Sequence, residues 1–385
     1  GIEYSKQERE QMMNDLEDQI ISAKTRRKNK FDNNVPTASK FDPRLPGFEM
    51  SNLTGLKISE KTYKCPSSDE DIAFASIAAQ GHWIKTKQIT SRRLTEIYLD
   101  RINKFQGQLN CYASVTGELA LAEADAMDLL TEDYISLGPL HGIPYGLKDL
   151  FDTKDIETAW GAEPYQNRLP LEDAEIVKRL RAAGAVLLGK TAVGALAYND
   201  IWYGGRTKNP WNLNEGSSGS SAGSASATAA GLCSFAIGTE TLGSITSPSE
   251  RCGTTGLRPT FGRVSRSGCM ALCWSLDKVG PICRCVEDTG LILSIINGYD
   301  ENDRFSIKAP FHFDSEKATS DLKVGYIPDS FGPDATELDK DILRVVSNLG
   351  FDVQAVELNK LPYSSLINIL HAEAAASFED LTLSN

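Results

Sequence analysis

Apolar side chains recur with helical spacing over residues 1–30, which are otherwise mainly charged and polar. Ser5 and Glu8 stand three residues apart at the start of this segment, the spacing of an N-terminal capping box. The pattern predicts a charged helix that is an appendage of the core. Residues 29–46 are polar and contain three prolines, which favours an extended arm after this helix.

From Ile72 onward the pattern is that of a compact α/β protein. Apolar residues at helical spacing predict one helix through residues 94–105 and another over residues 118–130, with Thr116 as a cap of the second. Both segments have one apolar face, so they are expected to pack on the core.

Helix and strand patterns alternate in the next part of the chain. Asp173 is placed to cap a helix that runs to Ala183, with Gly184 at its C-terminal end, and residues 185–188 favour a buried strand. The order strand, helix, strand returns near the C-terminus, at residues 323–327, 337–349 and 352–358. This order is expected of parallel strand pairing and predicts the α/β class.

The length of 385 residues exceeds that of a typical domain, yet no linker divides the chain after about residue 70. We therefore expect one large α/β domain over residues 66–385, preceded by the helix and arm over residues 1–65. Apolar residues make up 41% of the chain, and no apolar run approaches the roughly 20 residues of a membrane helix. The net charge of −12 disfavours nucleic acid and anionic membranes as partners, so a soluble protein is predicted.

Eight cysteines are dispersed along the chain, which favours reduced thiols in a cytoplasmic enzyme over a disulfide framework. Four of them lie close together, at Cys269, Cys273, Cys283 and Cys285. Their spacing, C-x3-C and then C-x-C, is not usual for zinc ligands, so no metal site is predicted. The chain begins at Gly1 rather than Met, which leaves a removed signal peptide or tag open.

Residues 184–191, GAVLLGKT, match the letters of a phosphate-binding P-loop. A P-loop follows a strand and exposes backbone N–H groups to phosphate, whereas here a helix precedes the motif and its centre is an apolar strand. A nucleotide site is therefore not predicted.

Residues 219–223, GSSAG, fit the pattern of a hydrolase nucleophile elbow with Ser221 as nucleophile. Such an elbow follows an apolar strand, but the preceding residues NPWNLNEG form a polar loop, which argues against it. The histidines of the chain are His82, His141, His312 and His371. A lone histidine is more often a surface or core residue than a catalytic base, so the serines need another base.

The strongest functional signal lies between residues 216 and 248, where thirteen serines and threonines stand among glycines and alanines. Small residues let the backbone approach a ligand closely, and such a run suits a site where N–H groups and serine oxygens converge on one reacting atom. Upstream, Lys148 lies in GPLHGIPYGLKDLFD, an apolar stretch interrupted by glycine and proline that is expected to desolvate the amine. Together these features indicate an enzyme that uses lysine as its base.

With these motifs the sequence resembles the amidase signature family of Ser-cisSer-Lys hydrolases. The similarity runs from about Ile72 to the C-terminus, through GPLHGIPYGLKDLFD, GAVLLGKT, TKNPWN, GSSGSSAGSA, GTETLGSITSPSERCGTTGLRPTFGRVSRSG and SLDKVGPICR. The resemblance implies a single α/β/α domain built on a large mixed, mostly parallel sheet.

The resemblance also implies a role for three residues. Lys148 matches the general base of the family, Ser220 the bridging serine whose peptide bond with Gly219 is cis, and Ser244 the acylated nucleophile. Ser217 is an alternative match for the bridging serine. Ser220 is preferred because its distance from Ser244 agrees with the family without a gap.

The chemistry implied is a proton relay, in which a neutral Lys148 takes a proton through Ser220 as Ser244 attacks an amide carbon. The expected oxyanion hole consists of the backbone N–H groups of Thr241, Leu242, Gly243 and Ser244. The resemblance implies no metal and no organic cofactor. It implies a small-molecule amide as the ligand, and it leaves a homodimer open.

Three departures from the family pattern bear on function. Leu242 replaces a glycine of the oxyanion loop, which predicts strain if that position needs a positive φ. Thr246 replaces an arginine, which weakens the case for a substrate carboxylate and thus for a glutaminase. The chain stops at Asn385, before the final strands of the family, so the domain is expected to lack its C-terminal part.

The leading prediction is an amidase that hydrolyses a carboxamide C–N bond through an acyl-enzyme on Ser244. A glutaminase of the amidotransferase A-type is the first alternative. A non-catalytic scaffold of the same fold is the second, motivated by the changed oxyanion loop and the early end of the chain. The sequence does not identify the amide substrate.

Overall fold

The structure is a computed structural model that describes residues 4–28, 44, 47–58, 61–317, 322–333, 335–359 and 363–384. Apart from residue 44, the arm predicted at residues 29–46 lies outside the described residues. The chain forms two compact units, a larger one of residues 36–313 and 372–384 and a smaller one of residues 1–35, 314–371 and 385. The boundary predicted near residue 65 stays a prediction.

The helices and strands are numbered in chain order. The α-helices are α1 Lys6–Lys28, α2 Asp69–Phe74, α3 Ile77–Lys85, α4 Ser91–Leu109, α5 Gly117–Glu132, α6 Glu175–Ala182, α7 Ala222–Ala229, α8 Thr246–Cys252, α9 Val286–Ile296, α10 Glu337–Asn348, α11 Ile367–Ser377 and α12 Glu379–Ser384. The strands are β1 Gly55–Lys57, β2 Tyr112–Val115, β3 Pro144–Lys148, β4 Val186–Thr191, β5 Ile201–Trp202, β6 Gly205–Arg206, β7 Lys208–Asn209, β8 Asn212–Gly216, β9 Phe235–Glu240, β10 Thr255–Gly256, β11 Lys278–Cys283, β12 His312–Asp314, β13 Lys323–Tyr326 and β14 Asp352–Ala355. Short 3₁₀ helices cover Glu163–Tyr165, Ala195–Ala197, Pro328–Phe331 and Tyr363–Leu366.

A six-stranded mixed sheet forms the centre of the larger unit, in the order β10-β11-β9-β3-β4-β2. The neighbouring strands β9, β3 and β4 are parallel, β2 and β11 are antiparallel to them, and β10 is antiparallel to β11, so four strands share one direction. Every residue of β3, β4 and β9 is buried, as expected for parallel strands covered on both faces. The predicted α/β fold with a mixed, mostly parallel sheet is confirmed.

The two helices predicted from one-sided apolar patterns are present as α4 and α5. Thr90 caps α4, since its side chain accepts the backbone N–H of Arg93. The prediction that Thr116 caps α5 is wrong. Thr116 stands at the cap position, but its hydroxyl donates to the carbonyl of Leu187 at 2.8 Å and so ties the helix start to β4.

The predicted cap of α6 is also wrong, although the helix itself is confirmed. The helix begins after Ala174, and no side chain caps it. The carboxylate of Asp173 instead accepts the backbone N–H of Lys154 at 2.8 Å and pairs with Arg181. Gly184 follows the helix with φ 77°, the left-handed conformation predicted for its end.

Two predictions for the residues of the smaller unit are confirmed. The N–H of Ser5 donates to Glu8 Oε2 at 2.7 Å and the N–H of Glu8 donates to Ser5 Oγ at 3.2 Å, which is the capping box at the start of α1. Strand β13, helix α10 and strand β14 follow one another, and the two strands pair in parallel with Lys323 opposite Asp352.

Among the helices that the structure describes, none combines the length and the apolar character that crossing a bilayer requires.

Candidate active site

Two neighbouring strands of the central sheet end at the candidate site. Strand β3 ends with Lys148 and the parallel strand β9 ends with Glu240, and Leu147 pairs with Ile237 between them. Because parallel strands place their carboxyl ends at one edge of a sheet, Lys148 meets the segment that leads into the loop after β9.

The side chain of Lys148 is completely buried among hydroxyl groups. Its Nζ lies 2.9 Å from each of three oxygens, Ser220 Oγ, Ser221 Oγ and Thr239 Oγ1. The carbonyl oxygen of Thr239 is a further acceptor at 3.4 Å. All of these partners are uncharged, so the amine is solvated by the protein without a counter-ion among these partners.

Burial disfavours the ammonium form and lowers the pKa of Lys148 to about 7. Electrostatic interactions with Cys269, Asp277 and Glu240 raise this pKa, but by less than burial lowers it. A lysine with this pKa is substantially neutral at neutral pH and is able to accept a proton.

The peptide bond between Gly219 and Ser220 is cis, as the family resemblance implied. A side chain at Gly219 would collide with the carbonyl oxygen of Asn199, so the chain requires glycine before Ser220. The alternative Ser217 is also buried, but its hydroxyl donates to Ser218 O at 2.9 Å. The structure therefore brings Ser220 to Lys148, in agreement with the spacing in the sequence.

Ser244 lies in the loop between β9 and α8, with 8% of its surface exposed. Its carbonyl oxygen accepts the backbone N–H of Ser221 at 3.1 Å. This bond joins the Ser244 loop to the segment that contains Ser220. The three residues singled out from the sequence thus meet in one region, Lys148 and Ser220 directly and Ser244 through the backbone of Ser221.

The carboxylate of Glu240 organises the loop that contains Ser244. Its Oε2 accepts the N–H of Ile245 at 3.0 Å and both the N–H and the hydroxyl of Thr246, at 2.9 and 3.1 Å. Burial opposes ionisation, but these hydrogen bonds outweigh it and lower the pKa of Glu240. The hydroxyl of Thr246 is therefore used inside the loop, where the family has a cation.

The strain expected at Leu242 is absent. Leu242 does not have a positive φ, and its side chain is 69% exposed. The left-handed conformation falls on the next residue, Gly243, with φ 85°. A glycine remains where the backbone requires one, so Leu242 is compatible with the loop.

Sequence reasoning missed Ser221 and Thr239 as partners of the lysine. The sequence context excludes Ser221 as a nucleophile, and the structure shows it fully buried, donating to Thr239 O at 3.0 Å and accepting Thr239 N–H at 3.2 Å. The position of Ser221 directly after Ser220 is the feature of the sequence that could have indicated its contact with Lys148. Nothing local marked Thr239, which reaches Lys148 through the pairing of β3 and β9.

The lysine of the P-loop match has a different environment from that of a nucleotide site. Lys190 is fully buried in β4, and its Nζ donates to Phe151 O at 2.5 Å and to the hydroxyls of Thr153 and Thr158 at 3.1 and 2.8 Å. Asp149 lies 3.9 Å away as its ion-pair partner. Burial lowers the pKa of Lys190 and raises that of Asp149, and their mutual attraction opposes both shifts. The predicted context of the motif is confirmed, because residues 186–191 form a buried strand that follows a helix.

A cavity of about 190 Å³ opens beside Thr239 and Thr241. Its apolar lining includes Leu150, Met270, Leu272 and Val279. Charged side chains also line it, and Arg266 among them pairs with Asp303 at 2.9 Å. Thr239, a partner of Lys148, and Thr241, in the loop that contains Ser244, connect this cavity to the site, although Lys148 and Ser244 do not line it.

All eight cysteines are free thiols. Within the described ranges, no group of three or more His, Cys, Asp or Glu side chains is arranged to hold a metal ion.

Comparison with known proteins gives consistent matches. The family model named Amidase matches residues 93–383. The A subunit of the glutamyl-tRNA(Gln) amidotransferase of a Geobacter species is 37% identical over 304 residues, which cover 76% of this chain and 62% of that protein. This chain therefore spans about three fifths of the length of that curated relative.

Solved structures resemble the chain as well. The native peptide amidase of Stenotrophomonas maltophilia aligns with a TM-score of 0.70 and 31% identity over 80% of this chain and 68% of that one. An amidase family protein of Bacillus anthracis aligns with a TM-score of 0.72 and 27% identity, over 81% and 66% of the two chains.

Proposed function

Because this chain belongs to the amidase signature family, we propose that it is an amidase that hydrolyses a carboxamide C–N bond through an acyl-enzyme on Ser244. The observation that carries the proposal is the 2.9 Å contact between a completely buried Lys148 and Ser220. A buried amine with a pKa of about 7, linked to a hydroxyl, is a group suited to take a proton from serine at neutral pH.

In the first half of the reaction, Ser244 Oγ attacks the amide carbon while its proton passes to Ser220 Oγ. Ser220 passes its own proton to the neutral Nζ of Lys148. The carbonyl oxygen becomes an oxyanion, which the backbone N–H groups of residues 241–244 stabilise; in comparable sites one such donor contributes about 3 kcal/mol. The proton then returns through Ser220 to the amide nitrogen as the C–N bond breaks, and ammonia or an amine leaves.

In the second half, water attacks the ester carbon of acylated Ser244. Its proton passes to Lys148 through Ser220, and the collapse of the intermediate returns a proton to Ser244 Oγ. The product is a carboxylic acid, and the three side chains regain their starting protonation states. Beyond the substrate and this water, the proton balance involves only the three side chains.

Ammonia or amine release from a panel of small amides tests this proposal, together with labelling by a fluorophosphonate. Active wild type should lose both activities in Ser244→Ala. The matched control is Ser294→Ala, which removes a hydroxyl that donates to Leu291 O within α9 and should keep both activities. A folded wild type that neither labels nor hydrolyses any amide would support the non-catalytic scaffold instead.

The amidotransferase role is the second candidate, since a relative with that name is 37% identical. It predicts glutaminase activity and tight co-purification with other subunits. Thr246 stands where the family has an arginine and its hydroxyl bonds to Glu240, so this position offers no cation to a substrate carboxylate. Equal rates with glutamine and with neutral amides would fit the simple amidase, whereas a strong preference for glutamine would favour the amidotransferase.

Three further points belong to the proposal. The proposed ligand is a small-molecule amide, and a cavity of about 190 Å³ lies beside Thr241 in the loop that contains Ser244. A cytoplasmic location fits the eight free thiols. A homodimer stays a prediction, which the molar mass of the purified chain in solution would decide.

A further inference from the structure

Asp277 connects the loop after β9 with a wall of the adjacent cavity. Its Oδ1 accepts a hydrogen bond from the hydroxyl of Thr241 at 2.6 Å. Its Oδ2 accepts the backbone N–H groups of Leu272 and Cys273 at 2.9 and 3.0 Å. Both oxygens of one carboxylate are therefore used to hold two separate segments together.

The next residue, Lys278, holds the same threonine at a different atom. Its Nζ donates to the carbonyl oxygen of Thr241 at 3.1 Å. Lys278 is the first residue of β11 and stands opposite Glu240 in the antiparallel pair with β9, so the rigid sheet fixes the position of its backbone. Thr241 is thus held at its hydroxyl by Asp277 and at its carbonyl by Lys278.

The carbonyl of Thr241 and the N–H of Leu242 belong to one planar peptide unit. In a trans peptide these two groups point in opposite directions, so fixing the carbonyl fixes the direction of the N–H. Thr241 is 8% exposed and Leu242 is 69% exposed, which places the contact with Lys278 where the loop leaves the protein interior. The side chain of Leu242 is too exposed to hold this peptide by packing.

We propose that Asp277 and Lys278 are positioning residues that orient the Leu242 N–H as an oxyanion donor through their two contacts with Thr241. The inference rests on the proposed function, since it concerns the oxyanion of amide hydrolysis. Donors aimed before the reaction stabilise the transition state without reorganisation, and hydrogen bonds from charged groups are the stronger ones.

The cavity wall that Asp277 contacts is anchored from a second side. Glu373 accepts the N–H and the hydroxyl of Ser275 at 2.9 and 2.6 Å, and the thiol of Cys273 donates to its Oε2 at 3.1 Å. The segment whose N–H groups donate to Oδ2 of Asp277 is therefore held by Glu373 as well.

Two pairs of variants separate positioning from a general effect on the fold. Thr241→Val removes the hydroxyl and Thr241→Ser keeps it, while Lys278→Met removes the donor and Lys278→Arg keeps one. For each variant we would measure kcat and KM with the best amide, the inhibition constant of phenylboronic acid, and Tm. Phenylboronic acid forms a tetrahedral adduct with an active serine and so reports on the oxyanion donors.

We expect Thr241→Val and Lys278→Met to lower kcat by about 10- to 100-fold with little change in KM, and to weaken the boronic acid by a similar factor. Thr241→Ser and Lys278→Arg should remain within about threefold of wild type in all three constants, since they keep the bonds to the loop. Combining Thr241→Val with Asp277→Asn should cost less than the sum of the two single effects, because both act through one contact. Ser294→Ala, which removes a hydroxyl that donates to Leu291 O within α9, should leave kcat and the boronic acid affinity near those of wild type.

Unchanged kcat and boronic acid affinity in Thr241→Val and Lys278→Met, with a lowered Tm, would overturn the inference. So would equal losses in the conservative and the disruptive variant of each pair. If Lys278→Met does not fold, Thr241→Val and Lys278→Arg carry the test. A folded wild type that hydrolyses no amide and takes no fluorophosphonate label would remove the proposed function, and this inference would go with it.

Discussion

The side-chain nitrogen of Lys148 lies 2.9 Å from the hydroxyl oxygen of Ser220, although 72 positions separate the two residues in the chain. The contact forms because β3 ends at Lys148 and because Ser220 lies two residues before α7, which packs against β3 and β9. Because the amine is fully buried, its charged form is unfavourable and its neutral form is able to accept a proton.

Replacing Ser220 with alanine should break the relay between the amine and Ser244. We expect kcat/KM to fall by about 10²- to 10⁴-fold, the usual contribution of positioned proton transfer. Ser217→Ala is the matched control, since Ser217 is equally buried in the same segment and its hydroxyl donates to Ser218 O. Steady-state kinetics of both variants decide the point, and equal losses would contradict the assignment of Ser220.

Lys148 should destabilise the fold near neutral pH, and this effect should shrink as the pH rises. Its pKa is about 7 when folded and near its ordinary value of 10.5 when unfolded, so the unfolded chain binds more protons between these values. The free energy of unfolding should therefore increase with pH over this window, by up to about 5 kcal/mol for this group. Lys148→Met should lack this contribution. Urea unfolding of both proteins at several pH values measures the difference, and a difference that does not depend on pH would refute the shifted pKa.

The loop after β9 should need glycine at position 243 and tolerate change at position 242. Gly243 has φ 85°, and the nearest atom to an added Cβ, Ser247 Cβ, lies 3.9 Å away, so the cost of Gly243→Ala is conformational. We expect a loss of about 1–2 kcal/mol of stability and a lower kcat. Leu242→Ala should change stability by less than about 0.5 kcal/mol, because its side chain is 69% exposed. The opposite order of the two effects would show that the loop has another conformation.

Lys190 should be a structural residue that binds no nucleotide. Lys190→Met would leave Asp149 buried without its cation, which typically costs about 3–5 kcal/mol. Lys154 provides a control, because it is exposed and lies in the loop after β3 that also contains Asp149. The free energy of unfolding of Lys154→Met should stay within about 0.5 kcal/mol of that of wild type. Adding Asp149→Asn to Lys190→Met should recover part of the loss. Thermal unfolding measures all three variants, and a rise in wild-type Tm with ATP would contradict this assignment.

Much of the fold and of the candidate site could be predicted because the signals were local. The order of motifs identified the family, the spacing of the serines favoured Ser220 over Ser217, and periodicity located α4, α5 and the β13-α10-β14 unit. The capping box of Ser5 and Glu8 was visible because both of its partners lie within one turn.

The predictions that were wrong depended on partners far away in the sequence. Aspartate is a common helix cap, but one carboxylate oxygen of Asp173 accepts a hydrogen bond from the backbone N–H of Lys154 instead. Thr116 was likewise diverted to the carbonyl of Leu187 on a neighbouring strand. The contacts of Thr239 and Asp277 depend on strand pairing, which a single sequence does not reveal.

The most direct test of the account is the pH dependence of fluorophosphonate labelling at Ser244, with the labelled peptide identified by mass spectrometry. If the neutral amine of Lys148 is the base, the rate in wild type should rise with pH and reach half of its maximum at a pH of about 7. Lys148→Met should label at least about 100-fold more slowly and lose this step. An unchanged rate and step in Lys148→Met, or a label on a residue other than Ser244, would contradict the account.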